Sequence, residues 1–138
     1  MEDRILLVDD EPEILHSLKI FLEFNGYVVD TAENAKNALS LVEEKKFNVA
    51  ILDIMMPEMD GIELLQEIKA RDFSIQVIMM TAYTSFDKTL KSLQHGAIDY
   101  VLKPINDMDE FLDLIKDSCK RVERWRRVLK DSVKIKKN

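Results

Sequence analysis

The sequence predicts an α/β domain built on a parallel sheet with helices on both faces. Short apolar runs alternate along the chain with segments whose apolar residues recur every three or four positions. Most of these runs lack polar alternation, which is typical of strands that are buried on both faces. The 138 residues suit one domain. A closed eight-fold barrel needs about 250 residues and is excluded by this length. We therefore expect five consecutive βα repeats.

The apolar runs are the candidate strands. In chain order they cover residues 5–8, 28–29, 49–52, 77–80 and 100–102. Right-handed crossovers between parallel strands leave few topologies, and the common order for five strands is 2-1-3-4-5. The predicted fold is thus a doubly wound, flavodoxin-like (βα)5 sheet. Its topological switch point lies between strands 1 and 3, at the edge formed by the carboxyl ends of the strands.

Each segment that follows a strand places apolar side chains on one face of a helix. The five faces are, in order, Ile14, Leu18, Phe21 and Leu22; Ala35, Ala38, Leu39 and Val42; Ile62, Leu65 and Ile68; Phe86, Leu90 and Leu93; and Phe111, Leu114, Ile115 and Val122. We expect each face to pack on the sheet. Gly26 and Gly96 stand where two of these helices should end in a left-handed cap.

Composition excludes several classes of protein. Hydrophobic residues make up 46% of the chain and charged residues 33%, so the chain is not a disordered tail. The single cysteine, Cys119, cannot form an internal disulfide, which favours a reducing compartment. No early apolar run reaches the length of a signal peptide or a membrane span. We expect a cytoplasmic protein that has no membrane partner.

The formal charge of −6 is unevenly distributed. Residues 116–138 hold 10 basic and 3 acidic residues, whereas the first 115 residues hold 10 and 23. A basic tail on an acidic body raises nucleic acid as a partner. A solvated helix that leads into a linker is the favoured explanation of the tail, and direct nucleic-acid binding is not expected of this domain.

Polar residues end four of the predicted strands. Asp9 and Asp10 follow strand 1, Asp53 follows strand 3, Thr81 ends strand 4 and Lys103 follows strand 5. Taken singly, each could cap a helix or remain solvated, but together they would share one edge of the sheet. Two carboxylates about 4 Å apart repel by about 4 kcal/mol at an effective dielectric constant of about 20. Cations must therefore balance the cluster, and its hard oxygen ligands favour Mg²⁺ over zinc.

The segments that carry these residues resemble the receiver domain of bacterial two-component response regulators. They are LLVDDEPEI, ILDIMMPEMDGIELL, VIMMTAY and GAIDYVLKPI, and they occur in unbroken order within residues 3–120. Each segment alone is a weak signal, whereas the four in sequence are specific. The resemblance implies a receiver domain at residues 1–120, followed by a basic extension of helix 5, or linker, at residues 121–138.

The resemblance also implies a phosphorylation site. Asp53 matches the aspartate that becomes 4-aspartylphosphate. Asp10 matches a direct Mg²⁺ ligand and Asp9 one that acts through water. Asp53 and the backbone carbonyl of Met55 match the remaining protein ligands. Mg²⁺ is thus the implied cofactor.

Further residues match the switch of the family. Thr81 corresponds to the hydroxyl that bonds the phosphoryl group, and Lys103 to the ammonium that pairs with it. Tyr100 falls at the aromatic position that turns inward on activation, although without the resemblance it would be an ordinary aromatic residue on the strand surface. The Lys103–Pro104 peptide is expected to be cis.

The implied function is that of a switch, which is not an enzyme beyond its own phosphorylation and dephosphorylation. The phosphoryl donor would be a sensor histidine kinase, a phosphotransfer protein or a small acyl phosphate. The output would be a partner or an effector domain. In the family, residues at the positions of Met55 and Tyr83 gate the hydrolytic water. Both are bulky here, so we expect slow loss of the phosphoryl group.

Two other classes share some of these features. A magnesium-dependent phosphatase would carry its nucleophile and a second acid two residues apart after strand 1, whereas Asp9 and Asp10 are adjacent. A flavodoxin needs a Ser/Thr/Gly-rich phosphate loop after strand 1, and the loop here is acidic. Neither alternative fits the sequence well.

The fifth helix is expected to continue past residue 120. Apolar residues recur at coiled-coil spacing, and we predict that Val122, Trp125 and Leu129 pack against a second copy or an effector. A homodimer could form through helix 5 or through the strand-5 face. The alternative is a frayed basic linker that leaves Trp125 in solvent. Whether the chain acts alone or within a longer regulator stays open, as do its cognate kinase and stimulus.

Overall fold

Five strands alternate with five helices in the computed structural model, which describes residues 2–82 and 85–137. The elements are β1 (Arg4–Val8), α1 (Pro12–Phe24), β2 (Val28–Ala32), α2 (Ala35–Glu44), β3 (Val49–Asp53), α3 (Gly61–Arg71), β4 (Gln76–Thr81), α4 (Phe86–Gln94), β5 (Ala97–Leu102) and α5 (Met108–Lys137). All neighbouring strands are parallel, in the order β2-β1-β3-β4-β5. The predicted fold class is confirmed.

The sheet separates two hydrophobic cores. Every residue of β3 and β4 is buried, because alternate side chains point into opposite cores. Leu52 and Met79 pack with α2 and α3 on one face, whereas Ile51 and Met80 pack with α1 and α5 on the other. Double burial explains why the strands read as apolar runs without alternation. It also confines polar side chains to the strand ends.

The apolar face predicted for α4 is oriented differently from expectation. The faces predicted for α1, α2, α3 and α5 contribute buried residues to the two cores. In α4, by contrast, Phe86 is 80% exposed, Leu90 and Leu93 also face solvent, and Ser92 alone is buried. The Ser92 hydroxyl donates to the Lys88 carbonyl oxygen at 2.8 Å, so this small polar side chain is satisfied within its own helix. Periodicity located the stripe correctly, but the stripe does not face the sheet.

The continuation of α5 beyond residue 120 is confirmed, but the prediction for Val122 is wrong. Val122 is completely buried within its own chain, so it is not available to a second copy or an effector. It continues the inward face begun by Phe111 and Ile115. Trp125 and Leu129, one and two turns further on, are each 52% exposed.

Arg126 fastens the start of the extension to the amino-terminal edge of the sheet. Its Nε donates to Ser74 Oγ at 2.9 Å, and its Nη2 donates to the Phe47 carbonyl oxygen at 2.6 Å. The guanidinium also lies 3.6 Å from the Asp72 carboxylate. The alternative of a frayed linker is therefore contradicted as far as residue 126.

We expect Arg126→Ala to lower the free energy of unfolding by about 2 kcal/mol, because it removes hydrogen bonds donated by a charged group to partly buried acceptors. Hydrogen exchange of the amides after residue 126 should become faster. Arg127→Ala is the matched control, since Arg127 is the exposed neighbour. Equal effects of the two variants in urea unfolding and hydrogen exchange would contradict the anchoring role.

Candidate functional site

The structure brings the predicted site residues to one edge of the sheet. Asp9 and Asp53 are buried at the ends of β1 and β3, while Asp10 is exposed beside them. Carboxylate oxygens of Asp9, Asp10, Glu11 and Asp53 all lie within 4.8 Å of one another. Thr81 is buried at the end of β4. The edge therefore concentrates negative charge at the topological switch point.

The ammonium of Lys103 bridges this acidic cluster. Its Nζ lies 2.5 Å from Asp9 Oδ2, 3.0 Å from Asp53 Oδ2 and 3.3 Å from Glu11 Oε1. Burial opposes the charge of Lys103, but the hydrogen bonds with Asp9 and Asp53 outweigh it and raise the lysine pKa to about 12. Burial also raises the pKa of Asp9, an effect that contacts with Lys103 and the Glu11 amide offset only in part. The negative charge of Asp9 in this pocket therefore carries a desolvation cost that its partners do not fully offset.

A close approach between β3 and α3 fixes the backbone at Asp53. The Gly61 amide donates to the Ile54 carbonyl oxygen at 2.9 Å. A Cβ at Gly61 would lie only 2.2 Å from the Asp53 carbonyl oxygen, so no side chain fits there. The Met55 amide donates to Asp53 Oδ1 at 3.2 Å. The carboxylate is thus held on one oxygen by the backbone and on the other by Lys103.

The start of α3 is linked to α4 beside the site. The Asp60 side chain caps α3 by accepting from the amides of Ile62 and Glu63, each at 3.0 Å. Its second oxygen lies 3.3 Å from Lys88 Nζ on α4. These contacts lower the Asp60 pKa against the opposing effect of burial. One aspartate therefore holds both the start of α3 and the first turns of α4.

Thr81, Tyr100 and Lys103, also assigned by resemblance, lie on or directly after the neighbouring strands β4 and β5. The Thr81 carbonyl oxygen accepts from the Lys103 amide at 3.0 Å, which places the ends of β4 and β5 side by side. Tyr100 is half-buried on β5 and packs partly against the core on the α2 and α3 face. The Lys103–Pro104 peptide is cis, as expected. Tyr83 lies outside the described residues.

The acidic cluster fits a magnesium ion. The ligand oxygens of octahedral Mg²⁺ lie about 3 to 4 Å apart, a spacing that carboxylates within 4.8 Å of one another can meet. Asp9 Oδ2 is buried and, among the described residues, accepts no well-aligned hydrogen bond beyond its ion pair with Lys103. The exposed Asp10 carboxylate reaches the same cluster from the solvent side. The oxygen-only donor set is the one that Mg²⁺ prefers.

Sequence reasoning placed Glu11 after strand 1 only as a possible helix cap, and it assigned no site role to Glu11 or to Gly61. Glu11 occupies the N-cap position of α1, but its side chain makes no cap hydrogen bond and contacts Lys103. The signal was a third acid directly after Asp9 and Asp10. Gly61 was also overlooked, although a glycine that follows an aspartate at a helix start is an available sequence clue.

The fold and site together define a doubly wound α/β domain with an acidic, lysine-bridged pocket at its switch point. The family model of the response regulator receiver domain matches residues 5–116, and the chain belongs to this family. This membership decides against the flavodoxin and phosphatase alternatives. Among the described residues, no helix combines the length and apolar character needed to cross a membrane.

Known proteins similar to this chain support the assignment. The transcriptional regulatory protein ZraR of Klebsiella oxytoca is 46% identical over 102 residues, which cover 74% of this chain and 23% of ZraR. A CheY-like receiver domain from Methanospirillum hungatei JF-1 is 40% identical with a TM-score of 0.85, covering 90% of this chain and 98% of that one. TrrA of Thermotoga maritima, solved in complex with Mg²⁺ and BeF, is 39% identical with a TM-score of 0.75, covering 84% and 98%. The chain spans about a quarter of the length of curated relatives such as ZraR.

Replacing Asp9 by asparagine should stabilise the metal-free protein by about 1 kcal/mol, because it removes a charge that burial disfavours. The folded pKa of Asp9 lies above its unfolded value, so the advantage of the variant should be present at pH 7 and should shrink as the pH falls through the folded pKa. Asp10→Asn, which changes an exposed carboxylate, is the control. Urea unfolding in EDTA measures both, and an unstabilised Asp9→Asn would refute the charge argument.

Proposed function

We propose that Asp53 accepts a phosphoryl group from a sensor histidine kinase or a phosphotransfer protein in a Mg²⁺-dependent reaction. The observation that carries the proposal is the fixed Asp53 carboxylate, which is bonded by Lys103 and the Met55 amide and lies beside Asp9 and Asp10. TrrA, a relative solved with Mg²⁺ and BeF, supports the same use of the pocket. Residues 1–120 would form the receiver, in the cytoplasm.

The geometry suits in-line transfer of a phosphoryl group. A carboxylate oxygen of Asp53 attacks phosphorus, while the bond from phosphorus to the donor nitrogen, or to the oxygen of a small acyl phosphate, breaks and its electron pair leaves with the donor. Lys103 remains protonated at neutral pH and offsets charge on the transferred oxygens. Thr81 would donate its hydroxyl to one of them. Bound Mg²⁺, held by Asp9, Asp10, Asp53 and the Met55 carbonyl, would supply further electrostatic stabilisation.

Phosphorylation would change the balance of charge around Lys103. The new group adds up to about two negative charges next to an ammonium that contacts three carboxylates in the present structure. Movement of Thr81 towards the phosphoryl group, followed by Tyr100, would transmit the change to the β5 face. Because ZraR and similar relatives are several times longer, the output is proposed to be an effector domain or partner reached through residues 121–138.

Asp53→Asn should abolish labelling by acetyl phosphate in the presence of Mg²⁺, because asparagine cannot form the acyl phosphate. Asp87→Asn is the control, since Asp87 is an exposed residue of α4. Phosphate-affinity electrophoresis or intact mass measures the product, which should gain one phosphoryl group in wild type and in the control.

EDTA should suppress labelling of the wild-type chain, and added Mg²⁺ should restore it. If Asp53→Asn is labelled as fully as wild type, another carboxylate is the acceptor and the assignment of Asp53 is refuted. Labelling that EDTA does not suppress would refute the role of the metal, but it would not contradict Asp53 as the acceptor.

The lifetime of the phosphorylated protein should depend on Met55 and Tyr83. Met55 is half exposed beside Asp53 and is a poor orienter of water, whereas receivers with Asn and Glu at these positions would guide a hydrolytic water better. Met55→Asn combined with Tyr83→Glu should therefore shorten the half-life several-fold. Loss of the phosphoryl group after removal of acetyl phosphate, followed by intact mass, checks this. An unchanged or longer half-life would contradict it.

A further inference from the structure

A cleft lies at the amino-terminal edge of the sheet, at the end of the strands opposite to the acidic cluster. It forms where the second half of α5 passes the loops that precede β3 and β4, and we call it the amino-terminal cleft. Its walls come from Lys46, from residues 69–76 and from residues 125–130. It consists of two neighbouring cavities of about 540 and 230 Å³, which share Phe73 and Leu129 as lining residues.

Three exposed apolar side chains line the amino-terminal cleft. Phe73 is 80% exposed, and Trp125 and Leu129 are each 52% exposed. The loop that carries Phe73 is nevertheless fixed, because the Asp72 carboxylate accepts from the Ser74 amide at 3.0 Å and from the Ser74 hydroxyl at 2.6 Å. A fixed loop that turns a phenylalanine outward, beside an exposed tryptophan and leucine, is typical of an interaction surface.

The rim of the cleft is basic, although the chain as a whole has a formal charge of −6. Five basic residues and one acidic residue, Asp72, line the two cavities. Three of the basic residues are already bound within the domain. Lys69 and Arg126 donate to backbone carbonyl oxygens, and Arg71 forms ion pairs with glutamates of α2 and α3. Their charges are therefore partly compensated.

Lys46 and Lys130 supply the remaining positive charge. Both are exposed, and neither forms an ion pair with any residue that the structure describes. Lys46 follows α2 and Lys130 lies on α5, so the two lysines border the larger cavity from different elements. A matching occupant must bring negative charge to the larger cavity and an apolar group to the smaller one.

We propose that the amino-terminal cleft binds an acidic segment of a partner protein. One large apolar side chain of this segment enters the smaller cavity beside Phe73 and Trp125, while its carboxylates pair with Lys46 and Lys130. The apolar contact supplies most of the affinity, and the ion pairs select an acidic partner over a basic one. This inference gives a partner chemistry to the output proposed above, but it stands on the geometry of the cleft and not on phosphorylation.

A polyphosphate or a nucleic acid fits the cleft less well. α2 ends at Glu44 and α3 ends at Arg71, both at this edge of the sheet, and the negative ends of their dipoles disfavour a dense group of phosphates. Arg71 also holds two glutamates beside the larger cavity. The carboxylates of a peptide are spaced along its backbone, so that each of the two unpaired lysines can take one.

A random peptide library displayed on phage, selected on the immobilised full chain of 138 residues, supplies the probe. The recovered peptides should carry aspartate or glutamate around one large apolar residue. The strongest binder is then synthesised without tryptophan. Its binding should shift the fluorescence of Trp125, the only tryptophan of the chain, to the blue. Binding should weaken as salt shortens the screening length from about 10 Å at 0.1 M to about 3 Å at 1 M.

Variants of the cleft test whether the peptide binds there. Phe73→Ala and Lys130→Glu should each raise the dissociation constant of the synthetic peptide about tenfold, because the first removes an apolar contact and the second turns an attractive pair into a repulsive one. Phe24→Ala and Lys36→Glu are the matched controls, since they change an exposed phenylalanine of α1 and an exposed lysine of α2. Both controls should bind the peptide as wild type does.

Several outcomes would overturn the proposal. They are a library that yields no binder, recovered peptides without acidic residues, and binding that Phe73→Ala and Lys130→Glu leave unchanged. Tighter binding of a duplex DNA fragment in the cleft would favour nucleic acid instead, and a blue shift of Trp125 with protein concentration alone would favour a second copy. Labelling by acetyl phosphate tests the proposed function separately, because Asp53 lies at the opposite edge of the sheet.

Discussion

The ammonium of Lys103 is the interaction on which the site depends. In the strand order β2-β1-β3-β4-β5, Lys103 follows an edge strand, yet its side chain contacts carboxylates that follow β1 and β3. It must therefore reach across the end of β4, where the small and buried Thr81 stands. Without this cation, Asp9 and Asp53 would be buried beside each other with only Coulomb repulsion between them, a situation that costs several kcal/mol or forces one to bind a proton.

A second constraint is steric and acts through the backbone. Gly61 allows the first turn of α3 to approach the end of β3 within a distance that any Cβ would prevent. The neighbouring Asp60 then joins α3 to Lys88 of α4. The apolar stripe of α4 faces solvent, and the ion pair between Lys88 and Asp60 is one polar contact that attaches this helix to α3. Elements with few buried apolar residues open at lower free energy than core elements do, so we expect α4 to be less stable locally than the helices that contribute to the two cores.

The sheet and its carboxyl edge were predictable because both follow from short segments of the sequence, namely the apolar runs and the residues directly after them. Strands buried on both faces must be apolar throughout, and strand order then brings Asp9, Asp53 and Lys103 together without knowledge of any distance. The orientation of α4 was not predictable in this way, since Phe86, Leu90 and Leu93 define a stripe but not the surface it meets. Val122 was misassigned for a related reason. Its spacing fits both a core face and a coiled-coil seam, and only tertiary packing decides between them.

Two points along α5, one near its start and one at Arg126, are bound to the domain by different forces, and this makes the helix a rigid connector. Near its start, Phe111 and Ile115 are held by burial in the core that covers β3 and β4. Beyond Val122 the sheet ends, and Arg126 replaces apolar packing with hydrogen bonds to the loops at the amino-terminal edge. The helix is therefore fixed at points about 22 Å apart along its axis, at 1.5 Å per residue. Because α5 is attached at both points, it cannot bend independently of the sheet. Any tilt of its first half is therefore carried at the same angle into the exposed residues beyond Arg126.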